Sequence, residues 1–290
     1  VTSKAGGQTV GETLDGLLSR LEKTSDTPGL DAQVLMARLL NRPRSWVLAH
    51  PEVILTGNQY AALEALVARL EGGEPLPYIL GSWEFFGQEF EVTPDVLIPR
   101  PETELLVERA IAWLRKQGCG NRELRVMDVG TGSGCIAISL AVFVSGLSIT
   151  ATDISPAALK VARRNAEKMN VSGCITFLED DLFSNPLIPD RFFLIVANPP
   201  YIPSNTLHKI PVYGREPTLA LDGGSDGLRL IRRILTEVPN RLSAGGLLLM
   251  EIEASEGPAV LASVSDALTK ARIHLHQDLA GRDRLLEVQV

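Results

Sequence analysis

The chain has 290 residues, 45% of them hydrophobic and 22% charged, an ordinary balance for a globular protein with room for one large or two modest domains. A net charge of −7 argues against broad binding to nucleic-acid phosphates and leaves at most a local basic patch for that purpose. No apolar run approaches the ~20 residues that span a bilayer. Residues 1–10 lack the basic-then-apolar order of a signal peptide.

In chain order, residues 9–80 read as short helices. Leu14, Leu17, Leu18 and Leu21 share one face, Leu35, Met36, Leu39 and Leu40 another, and Ala62, Leu63, Leu66, Val67 and Leu70 repeat the spacing. Aromatic and β-branched residues flank Gly87 over residues 83–92, which predicts a hairpin. From Leu124 onward strands alternate with helices. Strands are expected at 124–129, 147–152, 174–179, 192–197 and 246–252, and helices near 135–145, 156–170, 226–242 and 258–271. Two further strands, 272–279 and 284–290, are close enough to pair antiparallel. This pattern predicts an α/β fold with a seven-stranded, mostly parallel sheet covered by helices. The division expected is a helical bundle over 1–80, a hairpin linker over 81–98 and a main domain over 99–290.

Cys119, Cys135 and Cys174 are far apart and odd in number, which suits reduced thiols in a cytoplasmic protein. The four histidines form no zinc pattern, and no metal is expected. Asp128-Val129-Gly130-Thr131-Gly132-Ser133-Gly134 follows the first main-domain strand and opens a helix. Its glycines let a ligand approach the backbone, and the helix N-terminus offers free N–H groups. Cys135 stands where a dinucleotide loop has its third glycine. The acid at the start and the alternate glycines therefore suit S-adenosylmethionine better than a pyrophosphate cofactor. Asp153 ends the next strand about 20 residues on, where a carboxylate can hold ribose hydroxyls. It also fits an N-cap. Asp180-Asp181-Leu182 after the third strand fits either an adenine-reading turn or a solvated acidic one.

The apolar run 192–197 ends in Asn198-Pro199-Pro200-Tyr201. Open α/β sheets place ligands at such C-terminal tips. Asn198 can accept an N–H bond through its side-chain oxygen, and Pro199 keeps a free carbonyl. Pro200 holds the preceding residue extended, which aims that carbonyl, and Tyr201 offers a flat face. The set suits a planar NH2 group held between two acceptors. It also fits a plain proline-rich turn. Arg100, Glu102 and Glu104 flank a first-turn Pro101 where acids complement a helix dipole. Arg100 is read either as part of that turn or as steering a ligand. Glu216 and Asp222 are read either as a substrate wall or as a surface turn.

Together these motifs resemble the amino-methylating class I (Rossmann-like) methyltransferases. Pro77-Tyr78-Ile79-Leu80-Gly81, Trp83-Glu84-Phe85-Phe86-Gly87, Ile98-Pro99-Arg100-Pro101-Glu102-Thr103-Glu104, Glu216-Pro217, Ala220-Leu221-Asp222-Gly223-Gly224 and Asp278-Leu279-Ala280-Gly281-Arg282-Asp283-Arg284 narrow the likeness. The chain is similar to the release factor glutamine methyltransferase family, also called PrmC or HemK. The resemblance implies methyl transfer from S-adenosylmethionine to the glutamine of the Gly-Gly-Gln motif of class I peptide chain release factors. It implies cofactor contacts at Asp128, Gly130, Thr131, Gly132, Ser133, Gly134, Asp153, Asp181, Leu182 and Asn198. Asn198, Pro199 and Tyr201 would be catalytic. Asn198, Pro199, Pro200, Tyr201, Arg100 and Glu216 would bind substrate. Leu182 stands where family members carry Trp, so a backbone contact is expected there. A monomer without sequence-specific nucleic-acid binding is expected, with the bundle gripping the protein substrate. The competing readings are a ribosomal-protein glutamine methyltransferase, an N6-adenine or N2-guanine methyltransferase, a non-catalytic docking module and a dehydrogenase.

Overall fold

The structure, a computed structural model, describes residues 7–117, 124–268 and 271–290. Cys119 and the first six residues, on which the thiol and leader readings partly rest, lie outside them. The chain divides into two units between Gly81 and Ser82.

The described part of the first unit is helical: α1 (Val10–Leu21), α2 (Pro28–Leu40), α3 (Arg44–Ala49), α4 (Gly57–Glu71) and α5 (Leu76–Leu80). Thr9 with Glu12 and Thr56 with Gln59 form capping boxes that satisfy the free N–H groups at the starts of α1 and α4. Leu17, Leu21, Leu35, Met36, Leu63, Val67 and Leu70 are buried in one core, as the 3–4 spacing requires. Leu18, on the margin of the α1 stripe, is 40% exposed.

The second unit opens with the expected hairpin, β1 (Ser82–Phe85) and β2 (Gln88–Glu91). Both turn residues, Phe86 and Gly87, have positive φ, at 52° and 72°, the twist that a two-residue hairpin loop needs. Glu104 accepts the Phe86 N–H at 2.9 Å and offsets the strain at a non-glycine residue. Phe85 and Phe90 are buried in a core with Leu106, Val107 and Ile136. The segment expected as a linker is therefore part of the larger unit.

Beyond it follow α6 (Glu104–Gln117), β3 (Leu124–Val129), α7 (Cys135–Phe143), β4 (Leu147–Asp153), α8 (Pro156–Lys168), β5 (Ile175–Glu179), β6 (Phe192–Ala197), β7 (Ile202–Pro203), α9 (Ser204–Leu207), β8 (Asp222–Gly224), α10 (Arg229–Arg241), β9 (Leu242–Glu251), α11 (Gly257–Ala267), β10 (Arg272–Gln277) and β11 (Asp283–Gln289). The main sheet has seven strands in the order β10-β11-β9-β6-β3-β4-β5, and β11 runs antiparallel to both its neighbours. The strand order reverses where β3 meets β6, both parallel, so the crevice at their C-terminal ends is the sheet's natural ligand site. Successive residues of a strand face opposite sides. Leu194 and Val196 of β6 join the core under α6 and α7, while Ile195 and Ala197 join the core under α10 and α11. Burial on both faces explains why β6 reads as an unbroken apolar run rather than an alternating one.

Candidate active site

The crevice at the switch point is a cavity of about 420 Å³, inside the usual range for small-ligand sites. Its walls come from the β3–α7 loop, the ends of β4, β5 and β6, residues 95–103 and the start of α10.

Gly130 and Gly132 line the cavity with φ of 75° and 56°, and a Cβ on either would meet nothing within 4 Å. The open space lies on the ligand side, and the left-handed backbone is what requires glycine. Gly134 differs. A Cβ there would come within 2.7 Å of Ile138 Cδ1 and 3.2 Å of Ala162 Cβ, so its glycine serves the packing of α7 against α8. It is not among the lining residues.

Asp128 lies beneath the loop, fully buried. Its Oδ2 accepts from Thr131 Oγ1 at 2.6 Å and from Ala137 N at 3.2 Å. Burial pushes its carboxyl up to about 7, against those two hydrogen bonds. Oδ1 has no protein partner among the described residues. Thr131 and Ser133 line the cavity, whereas Asp128 shapes it from below. Cys135 also lines it, and burial pushes that thiol up to about 12, which makes it a wall and not a nucleophile.

Asp153 lies at the cavity with Oδ2 accepting from Gly132 N at 2.8 Å and Oδ1 from Ser155 N at 2.9 Å. The helix cap expected as its alternative role belongs to Ser155, whose Oγ accepts from Ala158 N. Burial raises the Asp153 carboxyl. Each oxygen keeps a further lone pair for a hydroxyl donor.

At the end of β5, Asp180 Oδ1 accepts from Ser184 N, Ser184 Oγ and Asn185 N, which ties the turn. Asp181 forms a bidentate pair with Arg233 at 3.0 Å, so its carboxylate is already engaged at the cavity rim. Leu182 reaches the cavity with φ of 72°.

Asn198, Pro199 and Pro200 line the cavity at the tip of β6. Asn198 Nδ2 donates to Thr103 Oγ1 at 3.1 Å, and Thr103 Oγ1 donates to Glu251 Oε2 at 2.7 Å. Tyr201 donates to Glu251 Oε1 at 3.2 Å. Tyr201 is half-buried against the α10–α11 core and is not among the lining residues. Its hydroxyl anchors the tip, in place of the flat face expected to meet substrate. Burial together with the Glu251 charge raises its phenol. Glu251 is 1% exposed, and burial pushes its carboxyl up to about 7.

Arg100 lines the cavity, and its guanidinium donates to Glu216 Oε1 at 2.5 Å. Glu216 is buried, and its Oε2 accepts from Ile98 N at 3.1 Å. The expected substrate wall is thus an internal brace that holds Arg100. Asp222, read alongside it, accepts from Ser204 Oγ and Gly224 N and closes a turn.

Thr103 and Glu251 were not singled out by sequence reasoning. The available signal was an acid ending the apolar run of β9, a position that buries a charge unless something holds it.

Two family models match the chain: "PrmC N-terminal domain" over residues 12–81 and "Methyltransferase small domain" over residues 103–210. A release factor glutamine methyltransferase of Bordetella pertussis is 41% identical over 270 residues, 93% of this chain and 97% of that protein. One from Escherichia coli is 38% identical, covering 84% of this chain and 85% of that protein. Among solved structures, the N-terminal domain of human METTL16 in complex with SAH aligns with a TM-score of 0.52 and 17% identity, over 87% of this chain and 93% of that one. A methyltransferase from Pyrococcus furiosus aligns with a TM-score of 0.51 and 16% identity, over 81% of this chain and 98% of that one. These two likenesses carry the fold alone. The sequence relatives carry the family: this chain belongs to the release factor glutamine methyltransferases.

Proposed function

We propose that the protein methylates the side-chain nitrogen of the glutamine in the Gly-Gly-Gln motif of class I peptide chain release factors, with S-adenosylmethionine as donor. The observation that carries this reading is the cavity that joins a glycine loop and a ribose-height acid to the Asn198-Pro199-Pro200 tip, whose chemistry can offer two acceptors, Asn198 Oδ1 and the Pro199 carbonyl. The residues fit the donor. Gly130 and Gly132 leave open space for it, Asp153 keeps lone pairs for ribose hydroxyls, and Leu182 offers main chain for the adenine edge. When bound, S-adenosylmethionine supplies an electrophilic methyl: the N–C bond forms as the C–S bond breaks, giving S-adenosylhomocysteine, N5-methylglutamine and one proton.

The chain's own contribution is placement. An amide nitrogen is a weak nucleophile because its lone pair is shared with the carbonyl. Asn198 Oδ1 and Pro199 O accept its two hydrogens, fix the plane of the group and favour charge on nitrogen as the bond forms. Such alignment is worth about 7–11 kcal/mol of barrier. No strong base is needed, since the N–H proton turns acidic only after attack. Tyr201 positions the tip through Glu251, and Arg100, held by Glu216, contributes the cationic part of the mouth. We assign the helical bundle to gripping the protein substrate, on the match to the PrmC N-terminal domain. The net charge of −7 supports a protein rather than a nucleic-acid partner. We assign action as a monomer in the cytoplasm. Among the described residues no helix is long and apolar enough to cross a membrane.

The test is methyl transfer to a release factor, a ribosomal protein and RNA offered in parallel, read by mass spectrometry. Wild-type protein adds one methyl to the Gly-Gly-Gln glutamine, and Asn198→Ala lowers kcat by about 10²–10³, the scale of losing one preorganised polar contact. Methylation of RNA instead, or an N198A variant at wild-type rate, contradicts the reading.

A further inference from the structure

Three segments far apart in the chain meet at the cavity wall, which Asn198 and Thr103 line and Glu251 backs. Asn198, Thr103 and Glu251 form one hydrogen-bonded line, 95 residues apart at its first link and 148 at its second. The direction of each bond follows from what each group can do. An ionised carboxylate only accepts, and Glu251 receives two O–H donors, Thr103 at 2.7 Å and Tyr201 at 3.2 Å. Thr103 has one proton, and it is committed to Glu251. The lone pairs it turns to Asn198 can only accept, so they must meet the Asn198 NH2 group, as the 3.1 Å contact does. The other half of that carboxamide, Oδ1, is left for the cavity.

We propose that Thr103 and Glu251 are positioning residues that set the polarity of the Asn198 carboxamide, holding its oxygen toward the cavity so that the site selects a donor NH2 group. The inference rests on the proposed amide-nitrogen chemistry and names what enforces it. Thr103 lines the cavity and Glu251 does not, and both act on the reaction through the Asn198 carboxamide. Without the line, a carboxamide can turn over by half a revolution and offer NH2 where the reaction needs an acceptor. Substrate nitrogen and side-chain nitrogen would then meet donor to donor.

Protonation gives the line a second handle. A neutral Glu251 carboxyl can donate to Thr103 as well as accept from it, which frees the Thr103 proton to face Asn198 and lets the amide reverse. Burial already brings that carboxyl to about 7. The groups that act on it are Thr103, Tyr201, Arg284 of β11 and Glu102, with the Cys135 thiol of α7 nearby. Arg284 is shared with Glu253, at 3.4 Å. The ionised form is the competent one, so kcat falls as pH drops through about 7.

The experiment compares Thr103→Val, Thr103→Ser and Glu251→Gln on a release factor at about pH 8.5, above that titration, and follows kcat of wild type and Glu251→Gln from about pH 6 to about pH 9, with S-adenosylhomocysteine affinity by calorimetry as the check on folding. T103V loses about 10- to 100-fold in kcat, the range in which outer hydrogen-bond partners act, while KM and S-adenosylhomocysteine affinity stay put. T103S keeps the hydroxyl and recovers most of the rate. E251Q loses the acid limb of the kcat profile. A T103V protein with wild-type kcat overturns the proposal. So does a T103S protein as damaged as T103V, or an E251Q protein that keeps the acid limb. Wild-type protein unable to methylate the release factor at all would instead sink the amide reading beneath it.

Discussion

The glycine loop and the tip of β6 face one cavity but are built on opposite plans. The loop works through backbone. Gly130 and Gly132 adopt left-handed geometry, and Asp153 braces Gly132 N from the next strand. Its polar partners lie within about 20 residues of each other on adjacent strands. The tip works through side chains whose orientation is imposed from segments 50 to 148 residues away. A loop of this kind tolerates change wherever the φ angles survive. A polar line of this kind fails as a unit when one member is lost, because the remaining buried groups are left unsatisfied.

The comparison is broken most sharply at Asp153. Asp153→Ala removes the proposed ribose acceptor and the brace on Gly132. Hydrogen bonds to a charged group are worth about 1.5–3 kcal/mol, so S-adenosylhomocysteine affinity should fall about 10- to 100-fold by calorimetry. The kcat at saturating donor should hold. Damage to kcat with affinity intact would mean that loop and tip do not divide the work in this way.

A smaller effect separates the two regions through pH. Burial pushes both Asp128, under the loop, and Glu251, behind the tip, up to about 7, above the ordinary 3.8 and 4.5. Their folded-state values lie above the unfolded ones, so the folded chain binds more protons between those limits. Their contribution to stability is full below the ordinary values and is lost as pH rises through about 7. The thermal midpoint of E251Q should therefore fall less than that of wild type between about pH 5 and about pH 8. Equal slopes would show that the fold does not raise the Glu251 carboxyl, since a group protonated alike in folded and unfolded chains adds no pH dependence.

Much of the larger unit could be read from local pattern. The expected strands at 124–129, 192–197 and 272–279 lie at Leu124–Val129, Phe192–Ala197 and Arg272–Gln277, because sustained apolar runs and turn residues act over short stretches. The strand expected from 246 starts earlier, at Leu242, where its register with β6 shifts between Phe192 and Leu194. The helix expected over 258–271 runs Gly257–Ala267, and residues 269–270 lie outside the described ones. The glycine loop was legible because its spacing carries its geometry. The bracing roles of Glu216 and Tyr201, and the pairing of Asp181 with Arg233, were not legible. Each depends on a partner that only the folded chain brings near. Thr103 was in view within the 98–104 segment, yet nothing around it in sequence points to Asn198 or Glu251.

The central claim is that a flat NH2 group sits between two acceptors at the tip of β6. The most direct measurement is a structure of the protein with S-adenosylhomocysteine and a Gly-Gly-Gln peptide. The account predicts the glutamine nitrogen within about 3.2 Å of both Asn198 Oδ1 and Pro199 O. A glutamine nitrogen beyond hydrogen-bond reach of either acceptor, or an Asn198 side chain turned away from it, would contradict the account.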